Sequence, residues 1–185
     1  MLRFKQSNEI GERMQNLIDK LHEFSKHDFP VPEVTSYLQN FNLSERNHKQ
    51  YSFFDNRYYT RNLIFRDEHF EIILLCWGPG QIAPIHGHEG EKCWARVETG
   101  TLKFSNYDLL SRDPLQLKLL ESIDTDVGYL DGPAEIHSVE NISDKPASSL
   151  HIYARPYDQC EIYDPNLGSI EKTQLAYHSK YGILC

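Results

Sequence analysis

From about residue 51 onward, the chain is a succession of short segments rich in β-branched and aromatic residues. The segments include "FEIILLCW", "CWARVE" and "SLHIYARP", and turn-forming stretches such as "GPGQ", "DGPAE" and "SDKP" lie between them. Many short strands at nearly even spacing are typical of an all-β sandwich or barrel. The sequence therefore predicts a β-barrel over residues 51–185.

The first 45 residues have a helical pattern instead. In "SNEIGERMQNLIDKLHEFSKH" the apolar residues recur at three- and four-residue spacing, which predicts an amphipathic helix that begins at Ser7 or Asn8. "PEVTSYLQNFNL" predicts a second, shorter helix with Pro32 near its first turn. The chain has 185 residues, with no internal repeat or linker. We therefore expect one domain, residues 1–185, in which residues 1–45 form a helical cap on the barrel.

The charge balance and the cysteines limit the partners and the compartment. The chain carries 27 acidic and 19 basic residues, a net charge of −8, without a cluster of Lys and Arg. This excludes nucleic acid and anionic membranes as expected partners. No apolar run approaches the ~20 residues that a membrane span needs. The four cysteines are scattered and form no CxxC pair, so we expect a reduced, cytoplasmic protein. We also expect the protein to be a monomer.

Two histidines at positions 86 and 88 are the first candidate metal ligands. Residues two apart on a strand point to the same face, so both imidazoles can reach one metal ion. A bare HxH pair is also compatible with two exposed loop histidines. The histidine pair is flanked by a glycine on each side and followed by a cysteine, and "HSVEN" supplies a later histidine followed by an asparagine. The spaced residues are Gly80, His86, His88, Cys93, Gly100, His137 and Asn141.

This spacing resembles the two motifs of the cupins, a superfamily of small β-barrels. The resemblance implies that His86, His88 and His137 bind one metal ion. Cupins place a glutamate where this chain has Cys93, and that difference narrows the family. The segments "RYYTRNLI", "CWGPG", "IHGHEGEKC", "IHSVENIS", "SLHIYARPYDQC" and "YHSKYGI" closely resemble the eukaryotic-type cysteine dioxygenases, from about residue 55 to the C-terminus.

The resemblance implies a mainly β fold, a jelly-roll-like cupin barrel with a small N-terminal helical cap. It also implies an Fe(II) enzyme that oxidises the thiol of L-cysteine with O2 to cysteine sulfinic acid, the first step of cysteine catabolism toward taurine and sulfate. Three neutral imidazoles leave a divalent ion its full charge, so a substrate thiolate can supply the missing anion. Glu89 and Glu91 lie near the histidine pair, and we expect them to be solvated loop charges.

The resemblance further assigns roles around the metal. Arg61 is implied to bind the substrate carboxylate, with Tyr59 beside it, as a planar guanidinium can do through two parallel hydrogen bonds. Tyr153 is implied to be the active-site phenol, with His151 orienting its hydroxyl. Cys93 is implied to form a thioether bond to the ring of Tyr153.

The chain departs from the animal enzymes at two positions near the site. Gly87 stands between the paired histidines, where those enzymes commonly have aspartate. Arg155 replaces the first of two prolines, which leaves open whether the bond before Pro156 is cis. Two alternatives to cysteine oxidation also stay open: a dioxygenase for another small thiol, such as 3-mercaptopropionate or cysteamine, and a non-catalytic metal-binding cupin.

Overall fold

The computed structural model describes residues 11–185, so the predicted helix start at Ser7 or Asn8 lies outside the described residues. Among these residues three helices precede the strands: α1 (Glu12–Ser25), α2 (Val31–Asn40) and α3 (Glu45–Tyr51). The two predicted helices are α1 and α2. The third was not predicted, because "ERNHKQY" has no apolar periodicity. Its start is capped by the hydroxyl of Ser44, which accepts a hydrogen bond from the backbone N–H of Asn47.

Thirteen strands follow among the described residues, and β2, β4 and β9 coincide with the three segments quoted first. The strands are β1 (Thr60–Arg66), β2 (Phe70–Trp77), β3 (Ile82–Gly87), β4 (Cys93–Thr99), β5 (Leu102–Arg112), β6 (Leu115–Thr125), β7 (Leu130–Asp131), β8 (Ile136–Asn141), β9 (Ala147–Ala154), β10 (Gln159–Asp164), β11 (Ser169–Gln174), β12 (Ser179–Lys180) and β13 (Ile183–Leu184).

The strands form two sheets that pack against each other. One has the order β13-β12-β1-β2-β9-β4-β7 and the other β11-β10-β3-β8-β5-β6. The predicted fold class, mainly β and jelly-roll-like with N-terminal helices, is confirmed. Within residues 11–185 no strand pairing joins the two sheets, so the barrel consists of two facing sheets and is not closed by hydrogen bonds.

The central strands β2 and β9 of the seven-stranded sheet are buried on both faces. Every residue of β2 and of β9 is buried. Side chains alternate along a strand. Ile72, Leu74 and Cys76 therefore pack with the helices, whereas Ile73 and Leu75 pack toward the six-stranded sheet. This double burial explains why "FEIILLCW" is a continuous apolar run instead of an alternating one.

The space between the sheets is where the predicted site residues lie. On the six-stranded sheet, His86 of β3 is the direct partner of His137 of β8. On the seven-stranded sheet, Tyr153 of β9 is flanked by Cys93 of β4 and by Glu71 of β2. Directly opposite residues of paired strands project to the same face. No helix among the described residues is long and apolar enough to cross a bilayer.

Candidate metal centre

The structure brings His86, His88 and His137 together between the sheets. Their candidate ligand atoms all lie within 4.8 Å of one another. The ring centroids are 5.1 Å apart for His86 and His88, 4.8 Å for His86 and His137, and 4.7 Å for His88 and His137. Glu89 and Glu91 are not part of this cluster, since each faces a basic side chain elsewhere, Lys172 and Arg155 respectively.

Hydrogen bonds fix the orientation of all three imidazoles. Each Nδ1 atom has an oxygen acceptor: Pro84 O at 2.8 Å for His86, Ala134 O at 2.9 Å for His88, and Asp131 Oδ2 at 3.2 Å for His137. We therefore assign the proton of each ring to Nδ1, which leaves the Nε2 lone pair free. The Nε2 atoms of His88 and His137 are buried without a hydrogen-bond partner. Orphaned acceptors of this kind fit a divalent metal ion held between the rings.

The electrostatics of the cluster also favour metal binding. Burial, followed by the neighbouring His137, lowers the pKa of His86 to about 3. The same two causes hold the pKa of His88 well below its usual range. Both imidazoles are therefore neutral at neutral pH, the form in which histidine binds a metal.

Asp131 supports the cluster and was not predicted from the sequence. Its carboxylate accepts from His137 through Oδ2 and from the amide of Asn106 through Oδ1, at 3.0 Å. Asp131 and His137 are both almost fully buried. A carboxylate behind a ligating histidine fixes its tautomer and increases its basicity. Only the folded arrangement reveals this pair, because aspartate six residues before a histidine is not a recognisable motif.

A chain of hydrogen bonds leads to the hydroxyl of Tyr153. Trp77 Nε1 donates to Ser149 Oγ at 3.0 Å, Ser149 Oγ lies 2.8 Å from His151 Nε2, and His151 Nδ1 lies 3.2 Å from the Tyr153 hydroxyl. Every donor in the chain is satisfied if Ser149 donates to Nε2 and Nδ1–H donates to Tyr153. The phenol proton is then free to point elsewhere.

Both members of the His151–Tyr153 pair are neutral. Burial holds the pKa of His151 well below its usual range and the pKa of Tyr153 well above its usual range. The Tyr153 ring centroid is 5.8 Å from that of His88. Ser149 was missed in the sequence, although it continues the same i, i+2 alternation along β9.

Cys93 lies beside Tyr153, as its direct partner across β4 and β9. It is fully buried and free, and Cys76, Cys160 and Cys185 are free as well. Burial, followed by the charge of Asp131, raises the pKa of the Cys93 thiol well above its usual range. The register places a thiol next to a phenol ring, with both side chains on the inner face of the sheet.

Arg61 lies in the same interior, with its guanidinium 5.8 Å from the centre of the Tyr153 ring. Its Nε and Nη2 atoms are buried without hydrogen-bond partners. Tyr59, half-buried, stacks on Trp77 with ring centroids 4.7 Å apart. Burial raises the pKa of Tyr59, and the charge of Arg61 opposes that rise. Arg61 and Tyr59 are thus brought near the histidine cluster.

Two further details concern the segment after β9. Tyr157, which the sequence analysis did not single out, is buried, and its ring meets that of Tyr153 edge to face at 5.1 Å. The bond before Pro156 is trans, and the cis bonds of the described chain precede Pro114 and Pro133. Arg155 itself adopts a left-handed conformation, with φ of 71°.

Comparison with known proteins gives one consistent result. The family model for cysteine dioxygenase type I matches residues 7–166. Cysteine dioxygenase type 1 of Rattus norvegicus is 32% identical over 176 residues, which cover 92% of this chain and 88% of that protein. The protein of the same name from Danio rerio is 29% identical over 180 residues, 92% of this chain and 89% of its own length. Among solved structures, an RmlC-like cupin from Desulfovibrio desulfuricans matches 63% of this chain and 100% of its own, with 20% identity and a TM-score of 0.46.

Proposed function

The chain belongs to the cysteine dioxygenase type I family, and from this membership we propose that it oxidises the thiol of L-cysteine to cysteine sulfinic acid. The reaction joins one thiol to one O2, and both oxygen atoms enter the product. The observation that carries the proposal is the meeting, in one interior, of three metal-competent histidines and an arginine with two unpaired donors. A non-catalytic metal-binding cupin has no use for that arginine.

We propose iron(II) as the metal, held by His86, His88 and His137 through their Nε2 atoms. Bound there, iron(II) would supply the redox chemistry that lets O2 react with a thiolate. Burial lowers the pKa of His86 and of His88 and so keeps these two imidazoles neutral, and Nδ1 hydrogen bonds orient all three rings. Because no carboxylate of residues 11–185 belongs to the cluster, a substrate thiolate would balance the charge of the ion.

Arg61 is proposed to bind the substrate carboxylate. Its Nε and Nη2 atoms form one edge of the guanidinium, and both lack a partner. A carboxylate satisfies that edge with two parallel, charge-assisted hydrogen bonds. Tyr59 is proposed to line the same part of the site, since Arg61 lies close enough to affect its pKa. This contact orients the thiol of cysteine toward the histidine cluster.

Tyr153 is proposed to act as a hydrogen-bond donor to the reacting groups. His151 occupies one lone pair of its oxygen and leaves the phenol proton free. The high pKa of the phenol keeps that proton in place at neutral pH. Cys93 is proposed to form a thioether with the Tyr153 ring, and the cross-strand register of the two residues supports this bond.

The proposal also covers the setting of the enzyme. A protein with four free cysteines, three of them buried, suits the reducing cytoplasm. We propose that it acts there as a monomer on a small thiol and O2.

The test combines metal analysis with substrate comparison. The purified protein, loaded with Fe(II) without O2, is supplied in turn with L-cysteine, 3-mercaptopropionate and cysteamine, while O2 uptake and the mass of the product are measured. We expect L-cysteine to give the highest kcat/KM and a sulfinate as product. His137→Ala serves as the control and should lose both iron and O2 uptake. If another thiol gives an equal or higher kcat/KM, L-cysteine is not the preferred substrate. If no thiol causes O2 uptake, the result favours the non-catalytic alternative.

A further inference from the structure

A second charged group lies directly behind the guanidinium of Arg61. Glu71, at the start of β2, is fully buried. Its Oε1 atom is 3.7 Å from Arg61 Nη2, which is too long for a hydrogen bond. Both atoms are buried without any hydrogen-bond partner. A carboxylate and a guanidinium thus face each other across a short gap and do not bond.

The other oxygen of Glu71 explains why the gap stays open. Glu71 Oε2 accepts a hydrogen bond from the hydroxyl of Tyr177 and lies 3.5 Å from Arg66 Nη1. Arg66 Nη1 in turn donates to the Tyr177 oxygen at 2.6 Å and to Asp158 Oδ1 at 2.8 Å. Burial raises the pKa of Tyr177, so its hydroxyl keeps its proton and remains a donor. These contacts hold the carboxylate by the oxygen that faces away from Arg61.

The position matters because Glu71 and a substrate carboxylate would compete for the same edge of Arg61. The Nη2 atom that faces Glu71 is one of the two unpaired donors on that edge. If the Glu71 carboxylate moved into hydrogen-bonding distance, it would occupy the place that a substrate carboxylate needs. An ion pair formed in a buried site is not weakened by solvent, as a surface pair would be.

The net charge of Arg61, Arg66 and Glu71 also favours binding of a substrate carboxylate. Burial raises the pKa of Glu71, and the contacts with Tyr177, Arg61 and Arg66 oppose that rise. With Glu71 ionised, Arg61, Arg66 and Glu71 together carry one positive charge. The side chain of Asp158 is 65% exposed, so solvent screens its charge. One bound carboxylate neutralises this charge, whereas a thiol without a carboxylate leaves it uncompensated. Without Arg66, the buried part of the group would already be neutral.

We propose that Tyr177 and Arg66 are positioning residues that hold Glu71 away from Arg61 and so keep Arg61 available for a substrate carboxylate. Selection of thiols that carry a carboxylate therefore depends on these two residues as well as on Arg61. The inference rests on the proposed function only in taking Arg61 as the carboxylate site.

The test is a cycle of variants in the iron-loaded full-length protein. Tyr177→Phe removes the hydroxyl that bridges Arg66 and Glu71, which releases the carboxylate toward Arg61. We expect the KM for L-cysteine to rise about tenfold, as for a charged hydrogen bond lost to a competitor, while kcat changes by less than about twofold. Glu71→Gln removes the competing charge, so Tyr177→Phe combined with Glu71→Gln should restore a KM close to that of Glu71→Gln alone. If Glu71→Gln folds poorly, Arg66→Gln is the variant to use instead, because Arg66 is partly exposed. It should raise the KM for L-cysteine in the same way as Tyr177→Phe.

Binding without O2 supplies the second measurement and the control. Calorimetric titration of each iron-loaded variant with cysteamine, which has no carboxylate, should give the same affinity for Tyr177→Phe as for the wild-type protein. Tyr37→Phe, on the helical cap, is the matched control and should leave both thiols unaffected. Equal weakening of L-cysteine and cysteamine, a loss confined to kcat, or no rescue in the double variant would each overturn the inference. If the protein oxidises 3-mercaptopropionate and not L-cysteine, the proposed substrate is wrong, and the same cycle run with that carboxylate thiol decides the inference.

Discussion

At the scale of single residues, the three imidazoles differ in what holds them. His86 and His88 donate to backbone carbonyls, whereas His137 donates to the side chain of Asp131. A substitution can therefore remove the support of His137 and leave all three proposed ligands in place. This makes Asp131 the residue through which the metal site can be adjusted from outside its own ligand set.

We expect Asp131→Ala to lower metal affinity by about 10–100-fold, because His137 loses the acceptor that orients it and increases its basicity. Asp131→Asn should lose less, since the amide oxygen still accepts the Nδ1 proton. Competition with a chelating indicator measures both affinities in the absence of substrate. Asp108→Ala, at an exposed position of β5, is the matched control. Wild-type affinity in Asp131→Ala would show that the backbone alone positions His137.

The neighbours Cys93 and Tyr153 give the second prediction. Turnover with iron, O2 and L-cysteine should join Cys93 Sγ to the Tyr153 ring, with O2 as the oxidant that accepts the electrons and protons. The intact mass then falls by the S–H and C–H hydrogens, and a tryptic digest contains one linked peptide. Cys160→Ala, which removes another buried thiol, should still form the link, and Cys93→Ala should not. An unlinked Cys93 thiol after complete turnover would identify it as a packing residue.

Arg61 gives the third prediction, which concerns substrate choice. Arg61→Gln should weaken use of L-cysteine by about 1.5–3 kcal/mol, the free energy of a charged hydrogen bond. Relative use of cysteamine should improve, because cysteamine has no carboxylate and loses no hydrogen bond to Arg61. The ratio of kcat/KM for the two thiols is the measurement. If that ratio does not change, the carboxylate is bound by another group.

The sequence predicted the candidate site residues that lie in motifs. It missed the residues that contact and position those side chains. The histidines, Arg61 and Tyr153 were predicted because spacing and resemblance mark them, and the structure brings them into one interior. Asp131 and Glu71 have no such mark, because each meets its partner only where strands from distant parts of the chain pair. Their roles depend on cross-strand register, which a single sequence does not contain.

At the scale of elements, β2 and β9 are shared between two cores. In β9, Leu150, Ile152 and Ala154 pack against the helices, and the residues between them face the site. The side chains of one strand therefore support the fold on one face and hold the site on the other. Adjacent residues can be changed with different consequences.

Ile152→Ala is the prediction that belongs to this scale. Ile152 is fully buried on the helix side and next to Tyr153 in the chain. We expect a loss of about 2–5 kcal/mol in the free energy of unfolding, from lost transfer free energy and the cavity that remains. Urea denaturation of the metal-free protein measures the loss, and Ile183→Ala, 72% exposed in the wild-type chain, should change little. A loss below about 1 kcal/mol would mean that helix and sheet close the cavity.

Elements were predicted well where their pattern was strong. Strands β2 and β9 have long apolar runs and lie where the sequence placed them. Helix α1 has clear three- and four-residue periodicity, but it begins at Glu12, after the non-helical Gly11, and not at Ser7 or Asn8. Strand β3 was not predicted from its strand propensity, since "IAPIHG" contains a proline that coincides with a register irregularity between Ala83 and His86. Helix α3 was missed because its seven residues are nearly all polar. Packing against the sheet, not propensity, determines such elements.

At the scale of the whole molecule, the fold keeps several histidines neutral. Burial lowers the pKa values of His48, His86 and His151 below their ordinary value of about 6.5. In the unfolded chain these histidines become protonated near that pH, whereas in the folded protein they stay neutral to lower pH. Acid therefore favours unfolding. The contribution to stability is complete above about pH 6.5 and is lost as the pH falls toward the folded pKa values, about 3 for His86.

The metal-free protein should therefore have a lower free energy of unfolding at about pH 5.5 than at about pH 7.5. Urea denaturation at the two pH values and constant ionic strength is the measurement. His48 lies outside the metal centre and bonds Ser148 Oγ at 2.8 Å, so His48→Gln should show a smaller difference between the two pH values. Equal stability at both pH values would contradict the assignment of neutral, buried histidines.

The burial of β2 and β9 on both faces has a consequence for how such an enzyme can evolve. Along β2 and β9 the even-numbered residues face the helices, and the odd-numbered residues face the interior between the sheets, where Ser149, His151 and Tyr153 of β9 lie among apolar neighbours. Successive codons of one gene segment are thus under two separate selective pressures, one for persistence of the folded chain and one for the reaction. Substitutions on the helix-facing positions can therefore accumulate while the interior-facing positions stay constant. Conversely, the interior-facing positions can change toward a new thiol substrate while the helix-facing positions are conserved.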